Sequence, residues 1–259
     1  MKKNWIKFWS KETRLPGQDQ AKTSLNSIGQ STSNDSLIAY YPFNGNANDN
    51  STNNFNGQVK GATLVADRFG NSNSAYFFDG NDDFIDCGSI LDVSSQDTIS
   101  ISAWIYPQQI STNNTFSGLG FGKKTSGTLQ LRVRTDADPR FQAHHASARE
   151  KNSTSNKGDS VFKYNKWYHL VGIYSDKNVE LYIDGIAQSF KGGHDRPHLS
   201  KIPQNSIFRI GLSFAARDVP KFFHGKIDEV RVYNRGLTEQ EIDSLYNGQI
   251  QHQPILKAL

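Results

Sequence analysis

The sequence predicts an all-β chain that folds as a two-sheet antiparallel β-sandwich with one short C-terminal helix. Apolar and polar residues alternate with a period of two in several short segments, most clearly in residues 99–105 and 128–134, as in strands with one buried face. Clusters of Gly, Asn and Asp separate these segments, which is typical of the turns in all-β proteins. The one good helix signal lies near the end of the chain, at residues 238–247.

The predicted elements follow one another from residue 37 onward. Further strand segments are residues 140–145, 179–188, 208–213 and 227–233. Within one of them, Asp184-Gly185 suits the two-residue type I′ turn of a hairpin. At the start of the helix, the spacing of Thr238 and Glu241 is that of a capping box, in which each side chain accepts a hydrogen bond from the backbone of the other residue.

Composition bounds the class of protein. The chain has 259 residues, 36% of them hydrophobic and 12% aromatic, and a chain of this length buries roughly three quarters of its unfolded surface. The single cysteine, Cys87, excludes an internal disulfide framework, so the core must stabilise the fold with or without a metal. No apolar run approaches the ~18 residues of a membrane-spanning helix, and we expect the chain not to be integral to a membrane.

The formal net charge of +4 is concentrated at one end of the chain. Of 29 basic and 25 acidic residues, six and two lie in residues 1–22, which leaves 23 of each sign in the remainder. A neutral domain lacks the charge expected of a protein that binds duplex nucleic acid. We expect residues 1–36 to form a flexible basic arm and linker, residues 37–247 the β domain, and residues 248–259 a tail.

The N-terminal arm carries Trp5 and Trp9 among lysines, a composition that suits docking on a membrane surface, on a partner or on a second copy of the chain through residues 1–22. The alternative is a disordered leader. No ordinary signal peptide is visible, because Asn4 and Lys7 interrupt the apolar residues.

Five segments resemble, in the right order, the laminin-G-like jelly-roll family of the concanavalin A-like lectin and glucanase group. They are residues 40–49, 75–83, 99–105, 166–171 and 225–242. The resemblance implies a jelly roll over about residues 37–247, and it is specific for the fold but does not identify the ligand. It also implies an extracellular or surface-associated location, although without an ordinary signal a cytoplasmic location or non-classical export stays open.

Glucanases of this group share a Glu-x-Asp-x-x-Glu strand, because glycoside hydrolysis needs two carboxylates at a fixed separation. The chain has six Glu, and the closest imitation, Glu241 with Asp243, lies in the predicted helix and has Tyr246 in the third acidic position. A glucanase of this type is excluded, and we expect no enzymatic activity. A glycoside hydrolase or lyase with an undetected site remains the alternative.

The loop of residues 44–52 is rich in Asn and Asp, and calcium prefers six to eight oxygen ligands. The resemblance implies a structural calcium ion bound by Asp49 and by the carbonyls around Asn44 and Asn46, with Asp228 as the side-chain ligand. The alternative is that Asn and Asp form turns and that Asp228 pairs with a Lys or Arg. Residues 79–83 form a second acidic turn.

A ligand surface is predicted on the outer face of one sheet. If Leu129 and Leu131 face the core, residues of the opposite parity in the same strand face outward, and the following strand extends that face. The predicted ligand-binding residues are Arg132, Arg134, Gln142, His144 and Arg209. The planar forks of Arg match carboxylate and sulfate groups, although a polar face is also what a solvated sheet shows.

The leading hypothesis is a non-enzymatic carbohydrate-binding or adhesion module with a structural calcium ion, whose ligand is an acidic polysaccharide. The second hypothesis is an assembly subunit that docks through its N-terminal arm. Deletion of the arm separates them, because glycan binding should survive it and assembly should not.

Overall fold

The structure is a computed structural model that describes residues 36–109, 119–122, 128–133, 139–146, 151–157, 162–175, 178–189, 202, 204–214 and 220–248. All of them lie in the unit Ser36–Leu259. Residues 128, 132, 133, 139–146, 151–157, 213 and 214 are described by their backbone. The predictions for residues 1–35, for Arg134 and for residues 249–259 lie outside the described residues.

The described residues form seventeen strands and one α-helix. The strands of the first half are β1 (Leu37–Tyr41), β2 (Gln58–Lys60), β3 (Thr63–Val65), β4 (Ala75–Asp79), β5 (Phe84–Asp86), β6 (Thr98–Pro107), β7 (Leu119–Gly122), β8 (Thr128–Val133) and β9 (Pro139–Ala146). Those of the second half are β10 (Lys151–Lys157), β11 (Tyr168–Ser175), β12 (Val179–Ile183), β13 (Ile186–Ala187), β14 (Ile207–Ile210), β15 (Leu212–Phe214), β16 (Pro220–Phe222) and β17 (His224–Tyr233). A 3-10 helix covers Val93–Ser95, and helix α1 covers Glu239–Tyr246.

The strands form two large antiparallel sheets, as the sequence predicts. The eight-stranded sheet has the order β13-β12-β11-β6-β17-β4-β3, with β1 also paired to β17. The seven-stranded sheet has the order β10-β9-β8-β7-β14-β5-β2, and β15 with β16 forms a small separate sheet. The predicted class, a two-sheet jelly-roll sandwich with one short C-terminal helix, is confirmed. Among the described residues, no helix is long and apolar enough to cross a bilayer.

Strand β17 changes neighbours halfway along its length. On one edge it pairs first with β4 and then with β1, while β6 runs along its other edge. The register with β6 shifts between Asp228 and Arg231, and Glu229 has a positive φ of 54°. This bulge places Asp228 and Glu229 at the junction of three strands.

The main core lies between the two large sheets, as expected for a sandwich in which inward side chains interdigitate. Along β6 the inward residues alternate as predicted, with Ile99, Ile101, Ala103 and Ile105 in this core. A second apolar cluster lies on the outer face of the eight-stranded sheet, where Ile242 and Leu245 of helix α1 pack on it. The helix therefore covers one part of that outer face.

The turn chemistry predicted from the sequence is present. The Thr238 hydroxyl accepts a hydrogen bond from the Glu241 N–H at 3.3 Å, and Glu241 accepts one from the Thr238 N–H at 2.9 Å. A hydrogen bond from Arg235 contributes most to lowering the pKa of Glu241 to about 2. Asp184 and Gly185 have φ values of 50° and 78°, as a type I′ turn requires, and connect β12 to β13.

Candidate functional site

The Asp49 carboxylate, a predicted calcium ligand, is buried and accepts four hydrogen bonds. Its Oδ1 accepts from the backbone N–H of Tyr40 and of Ser51, both at 2.8 Å. Its Oδ2 accepts from the Ser51 hydroxyl at 2.7 Å and from the Phe55 N–H at 2.9 Å. Asp49 therefore ties the Asn-rich loop to β1, which is the turn-forming role stated above as the alternative.

Asp228 is also buried and also has partners. Its Oδ2 lies 3.1 Å from Nη1 of Arg68, and its Oδ1 accepts from the Glu229 N–H at 2.7 Å. Burial, with the neighbouring Glu229 carboxylate, raises the pKa of Asp228 to about 8, although Arg68 acts in the opposite direction. Asp228 is thus paired with an arginine, which is the alternative stated above for this residue.

The two Asn residues of the predicted calcium set lie in the same loop. Asn44 and Asn46 are exposed, and the Asn46 side chain accepts a hydrogen bond from the Asn48 N–H at 2.8 Å. With both carboxylates hydrogen-bonded or ion-paired, this donor set does not fit a calcium ion without rearrangement. Calcium at these four residues stays a prediction.

A second acidic group lies in the turn of residues 79–83, and two of its carboxylates also accept hydrogen bonds. The carboxylates of Asp79, Asp82 and Asp83 approach one another within 4.8 Å, and within the described ranges this is the one such group of His, Cys, Asp or Glu that could hold a metal. Burial raises the pKa of Asp83. At Asp79 burial acts in the same direction, but hydrogen bonds from Asn81 and its neighbours outweigh it and lower the pKa.

Two of the predicted ligand residues, Arg209 and Gln142, lie in one row across the seven-stranded sheet, whereas Arg132 and His144 lie in other rows. Arg209 pairs with Gly120, Gly120 with Gln130, and Gln130 with Gln142. The Arg209 guanidinium lies 3.3 Å from Asp86. Gln130 is only 3% exposed, so the outer face is not open to solvent at this point of the row.

A basic row crosses three strands of the same sheet. Arg132 on β8 pairs directly with Arg140 on β9, and Arg140 pairs with Lys157 on β10. Because Leu129 and Leu131 belong to the core, alternation places these positions on the outer face, as it does His144 and Gln142.

Sequence reasoning missed Arg140 and Lys157. Strand β10, with the sequence KNSTSNK, has no apolar alternation that marks it as a strand. Lys151 has the same parity as Lys157, and none of the residues of β8, β9 and β10 is Asp or Glu. We call Arg132, Arg140, Lys151 and Lys157 the basic face.

The outer face of the eight-stranded sheet carries two half-buried aromatic residues that sequence reasoning missed. Tyr168 and Tyr182, which lie in strands and could by their chemistry stack on a sugar, are only 8% and 7% exposed and belong to the apolar clusters. Tyr106 and Trp167 are instead half-buried on the outer face, with ring centroids 5.5 Å apart. The sequence contains one signal for Tyr106: it alternates with the inward residues of β6, so it should face outward.

A serine–histidine pair is present but inaccessible. Ser102 Oγ lies 2.9 Å from Nε2 of His169, and the two residues are 0% and 1% exposed. Burial, and then the charges of Arg231 and Arg68, lower the pKa of His169 to about 3. Among the described residues, the other ring nitrogen, Nδ1, has no hydrogen-bond partner, so no carboxylate in this part of the chain orients the histidine. Burial keeps a substrate from the serine.

Residues 79–243 of this chain match a laminin G family model of the concanavalin A-like lectin/glucanases superfamily. Comparison with curated protein sequences gives no match.

Solved structures share the fold at low sequence identity. Domain 4 of AbnA, a GH43 extracellular arabinanase from Geobacillus stearothermophilus in complex with arabinotriose, has a TM-score of 0.64 and 21% identity over 82% of this chain and 98% of that domain. The receptor-binding domain of botulinum neurotoxin C/D mosaic serotype has a TM-score of 0.58 and 18% identity, over 84% of this chain and 52% of that one. A Trypanosoma rangeli sialidase mutant displaying trans-sialidase activity has a TM-score of 0.61 and 18% identity, over 88% of this chain and 35% of that one. The chain thus spans about half of the toxin domain and a third of the sialidase.

Proposed function

This chain belongs to the concanavalin A-like lectin/glucanases superfamily, and we propose that it is a non-enzymatic carbohydrate-binding or adhesion module. Two neighbours support the ligand class, since one was solved with arabinotriose and cell entry of another, botulinum neurotoxin type C, is dependent upon interaction with two ganglioside molecules. The lack of a Glu-x-Asp-x-x-Glu strand and the inaccessible Ser102–His169 pair support a non-catalytic role. An extracellular or surface location accompanies this proposal.

The ligand class that the geometry supports best is an acidic polysaccharide. The observation that carries this is the basic face: Arg132, Arg140 and Lys157 occupy directly paired positions on β8, β9 and β10, and these strands contain no acidic residue. Neighbouring strands lie about 4.8 Å apart, so three cationic positions follow one another across the sheet. A chain with repeating carboxylate or sulfate groups offers complementary charges.

Each contact on the basic face is expected to be weak, because water and salt screen exposed charges. Arg132→Ala, Arg140→Ala and Lys157→Ala should each weaken binding to immobilised heparin or polygalacturonate by about fivefold, which corresponds to roughly 1 kcal/mol. Binding should also fall as salt rises. Surface plasmon resonance at two salt concentrations measures both effects.

The matched control is Lys60→Ala on β2, at the opposite edge of the same sheet, where the lysine is exposed. It should leave affinity unchanged. Binding that ignores salt and all three substitutions, or that prefers neutral arabinan, would show that the basic face is not the ligand site.

We further propose that the structural ion is calcium and that the turn of Asp79, Asp82 and Asp83 binds it. An ion that binds only the folded protein raises stability by about 2.7 kcal/mol at a hundredfold excess over Kd. Asp82→Asn should remove most of the calcium-dependent rise in Tm, because Asp82 is exposed and belongs to the three-carboxylate group. Asp228→Asn should leave the calcium-dependent rise in Tm unchanged, because Asp228 is paired with Arg68. The reverse result would place the ion at Asn44, Asn46, Asp49 and Asp228.

A further inference from the structure

Four outward residues form a continuous row on the eight-stranded sheet. Lys226 on β17 pairs with Phe77 on β4 and with Tyr106 on β6. Trp167, which immediately precedes β11, extends the row through its contact with Tyr106, with ring centroids 5.5 Å apart. We call Phe77, Lys226, Tyr106 and Trp167 the aromatic row.

The aromatic row is not part of the core. The chain neighbours of three of its members, Phe78, Ile105 and Ile227, are 0%, 2% and 0% exposed and lie in the main core, so alternation directs the row to the opposite face. All four residues of the row are half-buried, which leaves part of each side chain accessible.

The covered part of this face begins two residues further along the strands. There, Trp104 pairs with Asp228 and His169, Tyr246 of helix α1 stacks on Trp104 at 5.7 Å, and the Arg68 guanidinium lies 4.4 Å from the Trp104 ring. Helix α1 and Arg68 thus cover Trp104, which lies beside the row. The four residues of the aromatic row remain partly accessible beside this covered region.

The charge of the row is positive. The Nζ of Lys226 lies 5.1 Å from the centroid of the Tyr106 ring, and the row itself contains no carboxylate. The exposed Lys166 lies next to Trp167 in the chain. On the adjacent position of the sheet, His224 pairs with Asp79, whose oxygens accept hydrogen bonds from Asn81. The anionic group of a ligand bound on the row would therefore lie close to the Lys226 ammonium.

We propose that the aromatic row is a second ligand surface and that it binds a carboxylated sugar, with the sugar ring against Trp167 and Tyr106 and the carboxylate on Lys226. This proposal rests on the proposed function and adds a site on the sheet opposite the basic face. Aromatic rings offer large apolar surface at low entropic cost, and the lysine ammonium supplies up to three donors. The row spans three strand spacings, roughly 14 Å, which is the length of a short oligosaccharide.

The test uses the galacturonic acid trisaccharide and, for comparison, the uncharged galactose trisaccharide, with binding measured by calorimetry and by tryptophan fluorescence. Trp167→Ala should weaken binding of both trisaccharides by at least about fivefold. Lys226→Met keeps an apolar side chain without its charge, and it should remove the preference for the acidic trisaccharide while the neutral one binds as before. If Trp167→Ala lowers the melting temperature, Trp167→Tyr keeps an aromatic ring and should retain most of the affinity.

Two control variants are matched to these changes. Phe69→Ala removes an aromatic side chain that is 71% exposed and lies outside the row, and Lys60→Met removes an exposed lysine on the other sheet; both should bind like the wild type.

A third arm, the double variant Arg140→Ala with Lys157→Ala, separates the two surfaces. If this double variant no longer binds the trisaccharides while the row variants still bind them, the second surface is overturned and the proposed function stands. A wild-type protein that binds neither trisaccharide, nor heparin or polygalacturonate, would overturn both.

Discussion

Glu229→Ala is expected to destabilise the protein by about 3–5 kcal/mol, because it leaves a buried charge without its partner. Oε2 of Glu229 lies 2.6 Å from Nη2 of Arg231, which is only 4% exposed. The Tyr40 hydroxyl donates to the same carboxylate at 3.0 Å, and the Arg231 guanidinium lies 3.9 Å from the Tyr40 ring. Since Nε of Arg231 already has no hydrogen-bond partner, loss of Glu229 removes the main compensation for this charge.

Urea unfolding measures the loss, and Glu239→Ala is the matched control. Glu239 is exposed in the first turn of helix α1, where a carboxylate contributes only about 0.3–1 kcal/mol. The double variant Glu229→Gln with Arg231→Met should be less destabilised than Glu229→Ala, because it removes both charges together. A Glu229→Ala protein as stable as the Glu239→Ala protein would show that Arg231 is solvated or paired in another way.

The features that the sequence predicted correctly depend on residues close together in the chain. The capping box needs only Thr238 and Glu241, and the hairpin turn needs only Asp184 and Gly185. Alternation in β6 identified both the strand and its inward residues. Such local signals suffice for the fold class, because two sheets with alternating faces have few other ways to bury those residues.

The features that the sequence did not predict depend on register between distant strands. The predicted strand at residues 208–213 is broken at Gly211, which has a φ of 86° and where a Cβ would collide with the ring of Phe78. Arg68 and Asp228 are 160 positions apart, so the sequence could indicate that Asp228 has a cationic partner but not which one.

The candidate surfaces show the same limit. The parity of Arg132 was visible in β8, but its pairing with Arg140 and Lys157 needs the order of β8, β9 and β10. The aromatic row combines residues from four segments of the chain, and the run of aromatics around Phe77 conceals which of them faces outward.

The stability advantage of the Asp228→Asn protein over the wild type is expected to grow as pH rises from about 4 to about 8, because the wild type loses stability over this range. Burial, with the Glu229 carboxylate, raises the pKa of Asp228 from 3.8 to about 8 in the folded protein. Below about pH 4, Asp228 is protonated in both states and behaves much like an amide side chain. Between these values the folded protein holds a proton that the unfolded chain has released, so stability falls by up to about 1.4 kcal/mol per pH unit.

Urea unfolding of both proteins at pH 5, 6, 7 and 8 measures this difference, with Asp97→Asn as the control for an exposed carboxylate outside both acidic groups. We expect the stability of the Asp228→Asn protein minus that of the wild type to grow by a few kcal/mol over this range, and the corresponding difference for the control to change much less. The amide oxygen that Asp228→Asn introduces can still accept a hydrogen bond from Arg68 or from the Glu229 N–H, so contacts of the bulge persist while the titrating proton is removed. A difference that stays constant or shrinks with pH would mean that Arg68, 3.1 Å away, keeps Asp228 ionised throughout and that the pair outweighs the cost of burial.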